Sequence, residues 1–143
     1  MAKAVKLEVI TPSKLFYKGE VELVICRTLE GDEGFMANHM WACKLLGVGE
    51  LWIKEIGSDD FKIAAISGGY VDVKDSIIIF TDSAEWPETI DVERAKALKL
   101  DAESWLQEHK EEAEENDVLL AKMAIVRAIT RMNVAEGGAR RKR

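Results

Sequence analysis

The sequence predicts an N-terminal antiparallel β-sandwich followed by a C-terminal antiparallel two-helix hairpin. Short apolar runs recur between residues 5 and 80, separated by turn clusters, with no helical stretch among them. From Ile90 onward there is no proline, and the next glycine is Gly137. The composition, 48% hydrophobic and 32% charged over 143 residues with only two prolines, suits a buried core and excludes disorder, collagen and low-complexity classes.

The elements follow in order. Val5, Leu7 and Val9 alternate with Lys6 and Glu8, the period of a half-buried strand, and Thr11-Pro12-Ser13 ends it. Further strands are predicted over 21–26, 51–56, 61–66, 70–73 and 76–80, with turns at Gly57-Ser58-Asp59-Asp60, Ser67-Gly68-Gly69 and Lys74-Asp75. The run Ile77-Ile78-Ile79 breaks alternation and predicts a strand buried on both faces. The pattern then changes at Trp86-Pro87, which places the sandwich at 1–86 and the hairpin, with its basic tail, at 87–143.

In the second part alanine and long straight-chain residues dominate, the strongest helix formers. Thr89 is the expected N-cap, with Asp91 suited to the positive end of the helix dipole. Ala95, Leu98, Ala102 and Trp105 form the apolar seam of one helix. The acidic stretch 108–117 is a solvated hinge, in which Asn116 or Asp117 caps a second helix with the seam Ala121, Ala124, Ala128, Met132 and Ala135. So narrow an alanine seam offsets only part of the ordering cost, which predicts a hairpin able to exchange between docked and undocked states.

The formal charge of −6 argues against general nucleic-acid binding. All of it lies in residues 1–89, with 9 Lys+Arg against 15 Asp+Glu, whereas residues 90–143 balance 11 against 11. That balance hides a segregation: seven acids against Lys110 over 103–117, then seven bases against Glu136 over 118–143. Cys26 and Cys43 have no ligand spacing and are expected to be small buried hydrophobes. His39 and His109 share no metal or catalytic constellation, and no P-loop, nucleophile elbow or HExxH occurs, so neither a catalytic residue nor a metal is expected. The N-terminus shows no leader, and no apolar run is long enough for a membrane helix. The Trp residues are core or interface anchors, Trp41 being the one expected to meet a partner.

Several segments together resemble the epsilon subunit of the F-type rotary ATP synthase: Leu7-Glu8-Val9-Ile10-Thr11-Pro12, Phe16-Tyr17-Lys18-Gly19-Glu20-Val21, Gly31-Asp32-Glu33-Gly34-Phe35, Ser67-Gly68-Gly69-Tyr70-Val71-Asp72-Val73, Ile90-Asp91-Val92-Glu93-Arg94-Ala95 and Arg131-Met132-Asn133-Val134-Ala135. Their order and spacing carry the resemblance over almost the whole chain. It implies a ten-stranded sandwich with a helical hairpin, in a non-catalytic subunit that grips the gamma subunit and the c-ring. It also implies helices that inhibit ATP hydrolysis by reaching the alpha/beta catalytic head. The membrane would be met only through the complex, peripherally, at the cytoplasmic face of the cell membrane, and nucleic acid is not a partner.

Residue by residue, the resemblance implies a regulatory ATP site at Glu85, Ile90, Asp91, Arg94, Ala95, Arg127 and Arg131, no other cofactor being expected. Arg127 and Arg131, one turn apart, suit phosphate, whereas Asp101 stands where tight binders carry an arginine and would repel it. The alternative for Asp91 and Arg94 is a helix-start cap and ion pair. Arg127, Arg131, Arg140, Arg141, Lys142 and Arg143 are the basic residues expected to contact the catalytic head. Asn38, His39, Met40 and Trp41 form the expected partner-interface loop, with Ala37 in place of the family's proline and Met40-Trp41-Ala42 in place of Ala-Pro-Leu. A stand-alone nucleotide-sensing module is the competing function.

Overall fold

The computed structural model describes residues 3–137, so the basic tail Arg140, Arg141, Lys142 and Arg143 lies outside the described residues. The chain divides into two units, 1–85 and 86–143.

In the first unit the described residues form nine strands: β1 (Val5–Ile10), β2 (Leu15–Thr28), β3 (Gly31–Phe35), β4 (Ala42–Leu45), β5 (Val48–Glu55), β6 (Phe61–Ser67), β7 (Tyr70–Val73), β8 (Ile77–Phe80) and β9 (Ala84–Glu85). They run in the order β4-β7-β8-β1-β2-β5-β6-β9, with β3 also paired to β2. The count is nine rather than ten. The predicted strand 21–26 belongs to β2, a 14-residue strand that begins at Leu15 and bends at a register shift between Val21 and Leu23. Its first half pairs with β1 and its second with β5 and β3, which joins the two layers of the sandwich.

Alternation places Leu7, Val9, Val21, Val24, Phe35, Leu51, Ile53, Val71, Ile77 and Ile79 in the core. Three expectations change. Ile78 is half-exposed because β8 keeps the ordinary alternation, so this strand is not buried on both faces. The β1–β8 pairing is parallel, an exception within an otherwise antiparallel ladder. Cys43 is exposed, since it points outward from β4 opposite Asp72, whereas Cys26 is buried and its thiol is pushed up to about 12 chiefly by burial, with Glu33 and Asp32 adding to it.

The second unit opens with a 3-10 turn, Pro87–Thr89, then α1 (Val92–Glu108) and α2 (Glu115–Ala135). Thr89 is not the α1 cap. Pro87 starts the short turn instead, Thr89 Oγ1 donates to Trp86 O at 3.0 Å, and Asp91 Oδ1 accepts from Arg94 N at 3.0 Å to cap α1. The N-cap of α2 is Glu114, two or three residues ahead of the expected Asn116 or Asp117, and it makes no side-chain hydrogen bond. Leu98 is largely exposed rather than in the seam, while Ala95 and Ala128 are buried.

Gly69 fixes the turn into β7. At φ +99°, a Cβ there would stand 1.8 Å from Phe80 O and 2.8 Å from Thr81 Cα, so backbone would have to move. Gly57, at φ +81°, has open space around it. Gly69→Ala should therefore cost ~3 kcal/mol or more, and Gly57→Ala only ~1 kcal/mol, read from urea midpoints. Equal losses would contradict the close-approach argument.

Candidate functional site

The sequence reading missed the most continuous feature of the sandwich surface. Residues directly opposite across paired strands point to one face. Leu45 on β4 lies opposite Tyr70 on β7, Tyr70 opposite Phe80 on β8, Phe80 opposite Ile10 on β1, and Ile10 opposite Leu15 on β2. An apolar row therefore crosses five strands on the outer face. Leu45 is 63% exposed, Leu15 50% and Tyr70 40%. Tyr70 and Phe80 stack with ring centroids 4.9 Å apart, and a groove of about 360 Å³ opens beside them, lined by Ile10, Pro12, Tyr70 and Phe80 among others. Apolar residues at both parities of a strand, such as Val9 and Ile10, were the available signal.

The loop 36–41 continues this surface. Trp41 and Met40 are 65% and 81% exposed, and Trp41 precedes the outward residues Cys43 and Leu45 along β4. The loop is built, not slack. His39 N donates to Met36 O at 3.2 Å, Asn38 sits at φ 64°, and the His39 ring packs edge-on to buried Phe35 at 4.9 Å. His39 Nδ1 lies 2.6 Å from Met40 O, and since a carbonyl only accepts, Nδ1 carries the hydrogen. These bonds supply the rigidity that Ala37 gives up relative to proline. Thus Asn38, His39, Met40 and Trp41 stand together at the surface.

Below the loop, Lys44 Nζ donates to Glu33 Oε1 at 2.6 Å and Thr28 Oγ1 to Glu33 Oε2 at 2.7 Å, tying β4 to the β2–β3 hairpin. The Lys44 bond first, then that of Thr28, holds the Glu33 carboxyl below the usual range.

In the second unit, Asp91, Arg94 and Ala95 share the first turn of α1, with Ile90 and Ala95 buried and Arg94 exposed. The Asp91 carboxylate is engaged as the cap. The connection 109–114 returns α2 along α1, so Arg127 (exposed) and Arg131 (half-buried) come back to the end of the hairpin that carries Asp91 and Arg94. Asp101 is exposed on α1. Glu85 closes β9 in the first unit, its backbone paired with Ala65. Among the described residues, no group of His, Cys, Asp and Glu could hold a metal ion.

Comparisons with known proteins agree with this geometry. The description "ATP synthase, Delta/Epsilon chain, beta-sandwich domain" matches residues 4–87, and "ATP synthase, Delta/Epsilon chain, long alpha-helix domain" matches 88–136. The chain is 40% identical over 132 residues to the ATP synthase epsilon chain of Caldicellulosiruptor bescii, covering 92% of this chain and 93% of that one. It is 48% identical over 107 residues to that of Alkaliphilus oremlandii, covering 74% and 78%. In fold it is similar to a chain of the Euglena gracilis mitochondrial ATP synthase, with a TM-score of 0.73 at 23% identity over 86% of this chain and 76% of that one.

Because Glu33's folded pKa is depressed, its bond with Lys44 stabilises the sandwich above the ordinary glutamate value and is lost as pH falls through the lower folded value. Stability measured from pH 6 down to pH 2 should fall less steeply for Glu33→Gln than for the parent, the difference opening below about pH 4.3. Superimposable pH profiles would show that the pair is not formed in solution.

Proposed function

The chain belongs to the ATP synthase delta/epsilon family, and from that premise we propose that it is the epsilon subunit of the central stalk, gripping the gamma subunit and resting on the c-ring through its sandwich. The subunit is non-catalytic. The observation that carries the docking role is the apolar row from Leu45 to Leu15, continued by Met40 and Trp41. Water-exposed apolar side chains in one contiguous, rigid line gain by transfer into a partner's surface at roughly 25 cal/mol per Å². Aromatic members such as Tyr70 and Trp41 are the residue types that dominate interface energetics. The helical hairpin restrains ATP hydrolysis by reaching the alpha/beta head, with Arg127 and Arg131 offered to acidic groups there. Among the described residues no helix is long and apolar enough to cross a membrane, and the chain meets the membrane's cytoplasmic face only through the assembled motor.

A second reading is favoured by the return of Arg127 and Arg131 to the hairpin end bearing Asp91 and Arg94: ATP binds there and holds the hairpin in its folded state. Capping by Asp91 and the carboxylate of Asp101 keep that affinity low.

Binding of the full chain to the gamma subunit of its own complex tests the docking surface. Tyr70→Ala combined with Leu45→Glu should weaken it by about two orders of magnitude with the fold retained, while Asp59→Lys in the β5–β6 turn leaves it unchanged. Parent-like binding by the double variant would remove the row from the interface. Calorimetry on the isolated chain should give a heat of binding at millimolar ATP that Arg131→Ala abolishes, and no heat would end the nucleotide reading.

A further inference from the structure

Near the turn of the hairpin, away from the end that carries Asp91 and Arg131, α1 and α2 leave a groove of about 570 Å³. That volume is in the range of small-molecule sites. Leu106 from α1 and Val118 and Ile125 from α2 give it apolar walls, and His109, Lys110 and Lys122 line it with basic groups. The His109 ring is fixed in place, with Nδ1 donating to Trp105 O at 2.9 Å and its plane stacked on Trp105 at 4.6 Å and 17°. The acidic lining residue, Glu103, is already partnered by Lys99 at 3.4 Å. Lys110 sits within a stretch rich in glutamate, yet among the described residues neither it nor Lys122 forms an ion pair. Two ammonium groups without a direct ion pair among the described residues, beside an apolar trough, suit a carboxylate head on an aliphatic chain.

We propose that this groove is a binding site for a free amphiphilic monocarboxylate of medium chain length. The chain lies on Leu106, Val118 and Ile125, and the carboxylate is held by Lys110 and Lys122. Bound there, the ligand bridges the end of α1 to α2 and favours the closed hairpin. The site goes beyond the stalk role and does not rest on it.

The test is a titration of the isotope-labelled full chain followed by nuclear magnetic resonance, with decanoate as the probe. The expected result is saturable shifts at Leu106, His109, Val118 and Ile125. Decyltrimethylammonium, with the same chain and opposite charge, should bind at least about tenfold more weakly, and acetate should not bind. Lys110→Glu combined with Lys122→Glu changes only exposed positions and should weaken decanoate by about tenfold or more without unfolding the hairpin. Equal affinity for the two amphiphiles, shifts spread over the chain without saturation, or a response to anionic phospholipid vesicles but not to decanoate would each overturn the proposal.

Discussion

One strand holds the sandwich together. At 14 residues, β2 is more than twice the ordinary strand length, and it pairs with β1 through its first half and with β5 and β3 through its second. A flat strand of that length would leave both layers in one plane. The register shift between Val21 and Leu23 bends it, so the inward residues Val21 and Val24 meet the core from two directions. The parallel β1–β8 pairing depends on this, because β1 is fixed by β2 on its other side. The outer apolar row depends on it too. Ile10 and Leu15 belong to that row only because β1 and the first half of β2 share a layer with β4, β7 and β8.

Much of this was readable from residue pattern, and the failures have physical causes. Val5, Leu7 and Val9 fell where period-2 alternation put them, and the apolar runs at 51–56, 61–66 and 70–73 fell within strands, although β5 and β6 each bury three consecutive residues. Only 21–26 of β2 was predicted, because the bulge shifts the alternation ahead of it as a turn would. Gly31–Phe35 carries no apolar alternation and no strand is predicted there, yet its backbone completes a ladder with β2. Thr89 lost the α1 cap to Asp91 because Pro87 begins its own short turn first. Trp41 is exposed, as the sequence suggested, but the row from Leu45 to Leu15 was not legible. Such a row is a property of five strands in register, and a local window shows only single members of it, such as Ile10 beside Val9.

The two units stabilise themselves by different means. The sandwich buries large branched side chains from most of its strands, whereas the helices fully bury only small or medium ones: Ala95, Ala128, Thr130 and Val134. Leu119, Leu120, Val126 and Ile129 remain exposed on α2. A helix that keeps its large apolar residues in water gains little by staying where it is and can gain by packing elsewhere. On this account a rigid docking module carries a hairpin whose alternative contacts lie on a partner, which is the energetic requirement for a brake that can be set and released.

That division of labour is the central claim, and ATP hydrolysis by the assembled complex tests it most directly. The complex is reconstituted with the full chain and, separately, with a chain ending at Glu85. The account predicts that both assemble and that the shortened chain gives severalfold faster hydrolysis. Equal hydrolysis rates in two fully assembled complexes would contradict it.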